Sequence, residues 1–246
     1  MSSSIFSVTE TFRDKTVFVT GSTGFLAKVY VAMLLRYHSD IKHLYLLVRD
    51  RSFETAEERV QRELFESPTF VPVKDFLGSK FDAFIKEKVT VLSGDITTQH
   101  LGLDKKVAKR ISKEVDIFVN SAGLTNFNPN LESALNINTL SADILLAFLR
   151  LSKTPAKLLH VSTAYVAGSN ENPDEVLPTP EIYPRYDEIR LPLDHRREID
   201  DCMEMVRHAE HQADDQERQT LFAERARAKL LKHNVHPDDA SSFAEE

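Results

Sequence analysis

Tryptophan is absent from this chain, and cysteine occurs once, at Cys202. A lone thiol cannot close an internal disulfide, so the sequence suits a reducing compartment, and a cytoplasmic location is expected. No apolar run approaches the roughly 20 residues needed to span a membrane. The opening MSSSIFSVTETF has no basic stretch followed by a long apolar one, so no signal peptide is expected. Basic residues are outnumbered, 31 Lys and Arg against 38 Asp and Glu, for a net charge of −7. That balance argues against nucleic acid as the main partner, which would need a basic surface. It leaves room for a local basic pocket facing a small anion. Internal repeats are lacking too. Glycine is sparse, with seven in 246 residues, and two of the seven fall within one short turn.

That turn organises the chain. Val17, Phe18 and Val19 form an unbroken apolar run, the pattern of a strand buried on both faces in a parallel sheet. A helical pattern follows, with Leu26, Val29, Tyr30, Met33, Leu34 and Tyr37 at three- and four-residue spacing. Between them lies Gly21-Ser22-Thr23-Gly24-Phe25-Leu26-Ala27. A strand, a glycine turn and a helix start together make a site for a pyrophosphate. Gly21 permits the sharp turn, Gly24 admits the phosphates to the backbone, and small Ala27 lets the helix pack near the strand. The helix N-terminus offers its free N–H groups to the anion. Lys28 invites comparison with the other phosphate loop, Gly-x-x-x-x-Gly-Lys-Ser/Thr. Ala27 and Val29 stand where that motif needs Gly and Ser/Thr, and the spacing from Gly21 is wrong, so it is rejected.

Further strands are expected at His43–Val48, Val89–Leu92, Val115–Asn120 and Leu158–Ser162. Helices are expected over Glu54–Phe65, Val73–Lys86 and, as one long element, Leu131–Leu151, with residues 1–14 a loose lead-in. Arg49, at the end of the second strand, is placed to meet a ribose 2′-phosphate, which favours NADPH over NADH. Asp50 beside it complicates that reading, because an acid there can instead hold the ribose hydroxyl. Asp95 and Ile96, after the third strand, suit an adenine edge and face, or Asp95 is a simple cap. Ser121, Ala122 and Gly123 are small enough for a cofactor to lie against the backbone after the fourth strand. Ser162 and Thr163 sit at the carboxyl end of the fifth, where open α/β sheets place ligands; a capping role is equally compatible with position alone. Asn138 reads as a structural polar group of its helix.

After Gly168 the character changes. Residues 169–194 hold five of the ten prolines and read as a long loop. Residues 195–246 carry 13 Asp and Glu and 8 Lys and Arg in a helical pattern. His208 and His211 share a helix face there, but no cysteine pattern or His-Glu-x-x-His accompanies them, so they read as a solvated face and no metal site is assigned.

In order, T-G-S-T-G-F-L-A-K-V, L-Y-L-L-V-R, S-G-D-I, N-S-A-G with Phe127 following, N-I-N-T and H-V-S-T-A-Y-V-A-G resemble the nucleotide-binding part of the alcohol-forming fatty acyl-CoA reductases. These are extended short-chain dehydrogenase/reductases, close to the thioester reductase domains of carboxylic acid reductases. The resemblance runs from about Phe12 to Gly168; the charged tail resembles a helical insert of some bacterial members. It implies a Rossmann-type doubly wound parallel α/β sheet over residues 1–194 with a charged helical C-terminal segment, 195–246. It implies NADPH as cofactor, with Gly21, Ser22, Thr23, Gly24, Phe25 and Leu26 holding the pyrophosphate and Arg49 the 2′-phosphate. Asp95 and Ile96 would border the adenine, and Ser121, Ala122 and Gly123 would line the floor. Thr163 would be the catalytic hydroxyl that donates to the carbonyl of a fatty acyl-CoA. Two positions depart from the pattern. Ala27 replaces a glycine, an accepted variant. The proton-donating Tyr-x-x-x-Lys pair is absent: four residues after Tyr30, Tyr37, Tyr45, Tyr165, Tyr183 and Tyr186 come Leu34, Ile41, Arg49, Ser169, Asp187 and Arg190. The chain alone is therefore expected to bind cofactor without turnover. A non-catalytic dinucleotide-binding or sensor module, and a sugar-nucleotide epimerase or dehydratase, are the alternatives on the same fold.

Overall fold

In the computed structural model, residues 7–163 and 194–213, with 220, 224 and 225, are described. Five short apolar runs form one parallel sheet: β1 (Thr16–Thr20), β2 (His43–Val48), β3 (Val89–Ser93), β4 (Ile117–Asn120) and β5 (Lys157–His160). Their order is β3-β2-β1-β4-β5, every neighbouring pair parallel. The direction of winding reverses beside β1, and the crevice at such a reversal is where open α/β sheets bind ligands. β1, in the middle, is buried at all five residues.

Alternation along the strands sorts the core into two layers. Val17, Val19, Leu44, Leu46 and Val119 face one side, against α2 (Phe25–Tyr37) and the helical segment between β2 and β3. Phe18, Tyr45, Leu47 and Phe118 face the other, against α6 (Lys105–Glu114) and α8 (Ser141–Leu149). On that side Phe18 stacks on Phe118 with centroids 4.6 Å apart, and Phe148 meets both rings, at 5.6 and 5.9 Å. All three rings are fully buried.

Several elements differ from expectation. The lead-in contains a short helix, α1 (Val8–Phe12), because Ser7 caps it by accepting from the Glu10 N–H, and Phe12 packs against the core. The expected helix over 54–65 is α3 (Ala56–Val60), opened by a Thr55–Glu58 capping box and continued by a wider π-type turn, Gln61–Phe65. That expected over 73–86 is two helices, α4 (Val71–Leu77) and α5 (Phe81–Lys88), parted at Gly78, whose φ of 54° ends the first. The long helix expected over 131–151 is α7 (Leu131–Ala134), a π-type stretch Leu135–Leu140, and α8.

The chain divides into two units, Met1–Arg190 and Leu191–Glu246. In the second, α9 (His195–Ala213) begins where Asp194 Oδ1 accepts from the N–H groups of Arg196 and Arg197. His208 lies beside Gln212 Nε2, and among the described residues no cluster of three or more His, Cys, Asp or Glu could hold a metal. No helix among them is long and apolar enough to cross a membrane.

Candidate functional site: a dinucleotide cradle at the carboxyl ends of β1, β2 and β4

β1 ends at Thr20, and the next residue turns with a left-handed backbone: Gly21 has φ +70°. A side chain there would also collide with β4's exit. A Cβ on Gly21 would stand 2.6 Å from the Ser121 carbonyl oxygen and 2.7 Å from the Ala122 nitrogen. Gly21 thus serves the turn and a close approach between two loops. Gly24 has ordinary φ, and a Cβ there would meet the Gly21 carbonyl at 3.1 Å. It is the N-cap of α2, and no side chain caps that helix. The first turn of α2 has no acidic residue either. Its N–H groups, which have no partner within the helix, are left for an external anion.

The other residues of the loop divide by burial. Ser22 is fully buried and its hydroxyl has no partner, so what it can offer an anion is backbone. Thr23 is half-buried, Phe25 and Leu26 are largely exposed, and Ala27 is buried in the core as the close helix–strand packing requires.

The floor is tied to this loop by one hydroxyl. Buried Thr20 Oγ1 donates to Asn120 Oδ1 at 2.6 Å and accepts from the N–H groups of Ser121 and Ala122, both at 3.3 Å. Asn120 Nδ2 in turn lies 3.0 Å from His160 Nδ1, joining the ends of β1, β4 and β5. Gly123 follows, where a Cβ would sit 3.3 Å from Asn138 Oδ1. Asn138 accepts from Leu124 N–H at 2.8 Å and donates to its carbonyl at 3.1 Å. This polar residue of the π-type stretch is therefore a clamp on the loop after β4.

At the end of β2, Arg49 Nη1 lies 3.6 Å from Asp95 Oδ2, with 65% of its side chain exposed. Asp95 Oδ1 accepts from the N–H and hydroxyl of Thr97. Burial alone would raise the Asp95 pKa, but those two hydrogen bonds and the Arg49 guanidinium outweigh it and hold the carboxyl below its ordinary value. Ile96 is half-buried against the second core layer. The structure thus brings the glycine loop together with 121–123, and Arg49 with Asp95. Thr163 is exposed, three residues beyond β5. Tyr165 and the proline-rich stretch lie outside the described residues.

Two participants, Thr20 and Arg59, escaped the sequence reading, and a third, Asp50, plays a part it did not foresee. Asp50 is held on both oxygens, Oδ1 accepting from Ala56 N–H at 2.7 Å and Oδ2 from the Ser93 hydroxyl at 2.5 Å. Thr20 is the hydroxyl that joins the floor to the loop. Arg59 is a buried arginine whose guanidinium reaches the Arg49 carbonyl and Thr23 Oγ1. Partners 36 to 102 residues away in sequence make Thr20 and the Arg59–Thr23 contact invisible to any local pattern.

A parallel sheet whose winding reverses at β1, with a glycine turn leading into an uncapped helix at that reversal, defines a Rossmann dinucleotide-binding unit. Comparison with known proteins narrows this: the chain belongs to the NAD-binding family described as male sterility protein, which matches residues 19–232. The group that the cradle fits is therefore a nicotinamide dinucleotide. Among curated proteins the chain is similar to fatty acyl-CoA reductase 8 of Arabidopsis thaliana, 43% identical over 165 residues, 66% of this chain and 33% of that protein. It is also similar to the alcohol-forming fatty acyl-CoA reductase of Simmondsia chinensis, 41% identical over 163 residues, again 66% of this chain and 33% of the relative. The chain thus spans about a third of the length of these relatives. Among solved structures it resembles the terminal R domain of the myxalamid PKS-NRPS biosynthetic pathway, with TM-score 0.52, 26% identity, and coverage of 68% of this chain and 40% of that one.

Proposed function

We propose that this chain is the cofactor-binding part of an NADPH-dependent reductase of fatty acyl-CoA thioesters, acting in the cytoplasm and yielding an aldehyde or an alcohol. The acyl-CoA substrate comes from the names of the relatives. The choice of NADPH rests on one observation: the acid and the base at the end of β2 are in opposite states. Asp50, the carboxylate that could hold a ribose hydroxyl, has both oxygens engaged within the protein. Arg51 is held by Glu63 at 3.2 Å and Glu54 at 3.9 Å. Arg49 has a long contact to Asp95 and a mostly exposed guanidinium, free to exchange that partner for a phosphate.

NADPH, when bound, supplies the hydride that reduces the thioester carbonyl. The chain's own residues bind and orient. Backbone N–H groups of the Gly21–Leu26 turn and the start of α2 hold the pyrophosphate, Arg49 the 2′-phosphate, and Asp95 and Ile96 border the adenine. The backbone of 121–123 forms the floor under the dinucleotide. Thr163 donates a hydrogen bond to the carbonyl oxygen as negative charge gathers there.

A proton must also reach that oxygen, and none of the tyrosines at 30, 37 and 45 is prepared to give one. Burial pushes Tyr30 up to about 12. Burial and then the hydrogen bond to Glu114 push Tyr45 to about 12. Tyr37 closes α2, at the opposite end of that helix from the glycine loop. Tyr165, Tyr183 and Tyr186 lie outside the described residues, and no tyrosine in the sequence is followed four residues on by lysine, so on its own the chain is read as a binding module.

Isothermal titration of NADPH and NADH against the wild type and Arg49→Ala tests the reading. The expected result is a preference for NADPH that Arg49→Ala weakens by about 1.5–3 kcal/mol, the range for a charge-assisted hydrogen bond, with little change for NADH. A wild type that prefers NADH overturns it.

A further inference from the structure

The inward face of α3 carries a charge. Ala56, Arg59 and Val60 are its buried residues, and Arg59 is only 8% exposed. Burying a guanidinium is costly unless it is hydrogen-bonded and paired, and an apolar side chain in its place is often as stable or more so. Something other than packing is served by this arginine. Its Nη1 donates to the Arg49 carbonyl oxygen, its Nη2 to Thr23 Oγ1 at 3.4 Å and to Glu63 Oε2 at 3.3 Å, while Nε has no partner. Glu63 also pairs with Arg51 at 3.2 Å and Arg62 at 2.9 Å. Glu54 takes Arg62 at 2.7 Å on two nitrogens and Arg51 at 3.9 Å, so two carboxylates serve three guanidiniums and one positive charge is left over in the group.

The two groups that Arg59 joins belong to different loops. Thr23 lies in the glycine turn after β1, and the Arg49 carbonyl belongs to the turn after β2. In a Rossmann unit these two turns flank the adenosine end of the dinucleotide. We infer that Arg59 is a positioning residue that makes this chain select NADPH over NADH. By holding the Arg49 backbone at a fixed offset from Thr23, it aims the Arg49 guanidinium at the 2′-phosphate, and its own charge lies beneath that subsite. It does not need to touch the phosphate. This inference rests on the assignment of the 2′-phosphate to Arg49.

The test is titration of NADPH and NADH against the wild-type chain, Arg49→Ala, Arg59→Met and Arg59→Lys, each checked for folding by thermal melting. Arg59→Met should weaken NADPH binding about tenfold, the low end for loss of a charged contact, and move NADH by less than about twofold. Arg59→Lys keeps the charge but loses the fork that spans two loops, so its NADPH-to-NADH ratio should fall between the two. If Arg59→Met does not fold, Arg59→Lys carries the test, and an unchanged ratio overturns the inference. Equal weakening of both dinucleotides, or a lower melting temperature with an intact ratio, shows a structural role alone and also overturns it. A wild type with no preference for NADPH overturns this inference and the Arg49 assignment together. Preference lost in Arg49→Ala but intact in Arg59→Met overturns only the role of Arg59.

Discussion

β1 and β5 are both short parallel strands with an apolar centre, and they have opposite surroundings. β1 runs through the centre, paired on both sides, and Val17, Phe18 and Val19 are fully buried. β5 pairs with β4 alone in the described sheet, and all four of its residues are exposed, with Leu159 at 52%. The binding half of the site hangs from the first, and Thr163, the residue assigned to chemistry, follows the second. Holding a dinucleotide is thus supported by the rigid interior. The hydroxyl proposed for chemistry follows an edge strand that nothing among the described residues completes.

The largest effect that separates the two halves is all or none. The 246-residue chain, given NADPH and a long-chain acyl-CoA, should show binding by titration and no loss of absorbance at the NADPH band. Turnover that Thr163→Ala abolishes would reveal a proton donor in this sequence that Tyr-x-x-x-Lys does not describe.

Stability should split next. Phe118→Ala, in the aromatic group of the centre, is expected to lose about 3–5 kcal/mol, and Leu159→Ala, half-exposed at the edge, less than about 1 kcal/mol. Urea unfolding measures both. Similar losses would mean that β5 is packed in solution as β1 is, and the comparison would fail.

The smallest effect on binding should come from the chemical half. Thr163→Ala should leave NADPH affinity within about twofold, because the residue lies outside the cradle. In a full-length reductase carrying this sequence, the same change should lower kcat by roughly ten- to a thousandfold, as for one oxyanion donor. If the loss falls on Ser162→Ala instead, the donating hydroxyl is one residue earlier.

Much of the cradle was legible because it is local. The apolar run of β1, the glycine spacing and the start of α2 are contiguous, and so is Leu44–Arg49. What could not be read depends on partners far along the chain. Asp50 looked like a competitor to Arg49, and only the fold brings Ser93, 43 residues on, to occupy it. Arg59 drew no reading of its own within the helix expected over 54–65, because the groups it joins, the Arg49 carbonyl and Thr23, lie 10 and 36 residues back. The Leu135–Leu140 stretch carries an apolar period that a regular helix also satisfies. Its departure from the α geometry coincides with Asn138 reaching back 14 residues to Leu124.

The contact of Gly21 with the end of β4 bears on what binding must overcome. The space where its side chain would be is filled by the Ser121 carbonyl, and Thr20 accepts from the Ser121 and Ala122 amides on either side of it. Loop and floor therefore lose their conformational freedom when the chain folds, not when the dinucleotide arrives. The entropy of ordering them is already spent before any encounter, so that cost is not subtracted again from the affinity when the dinucleotide binds.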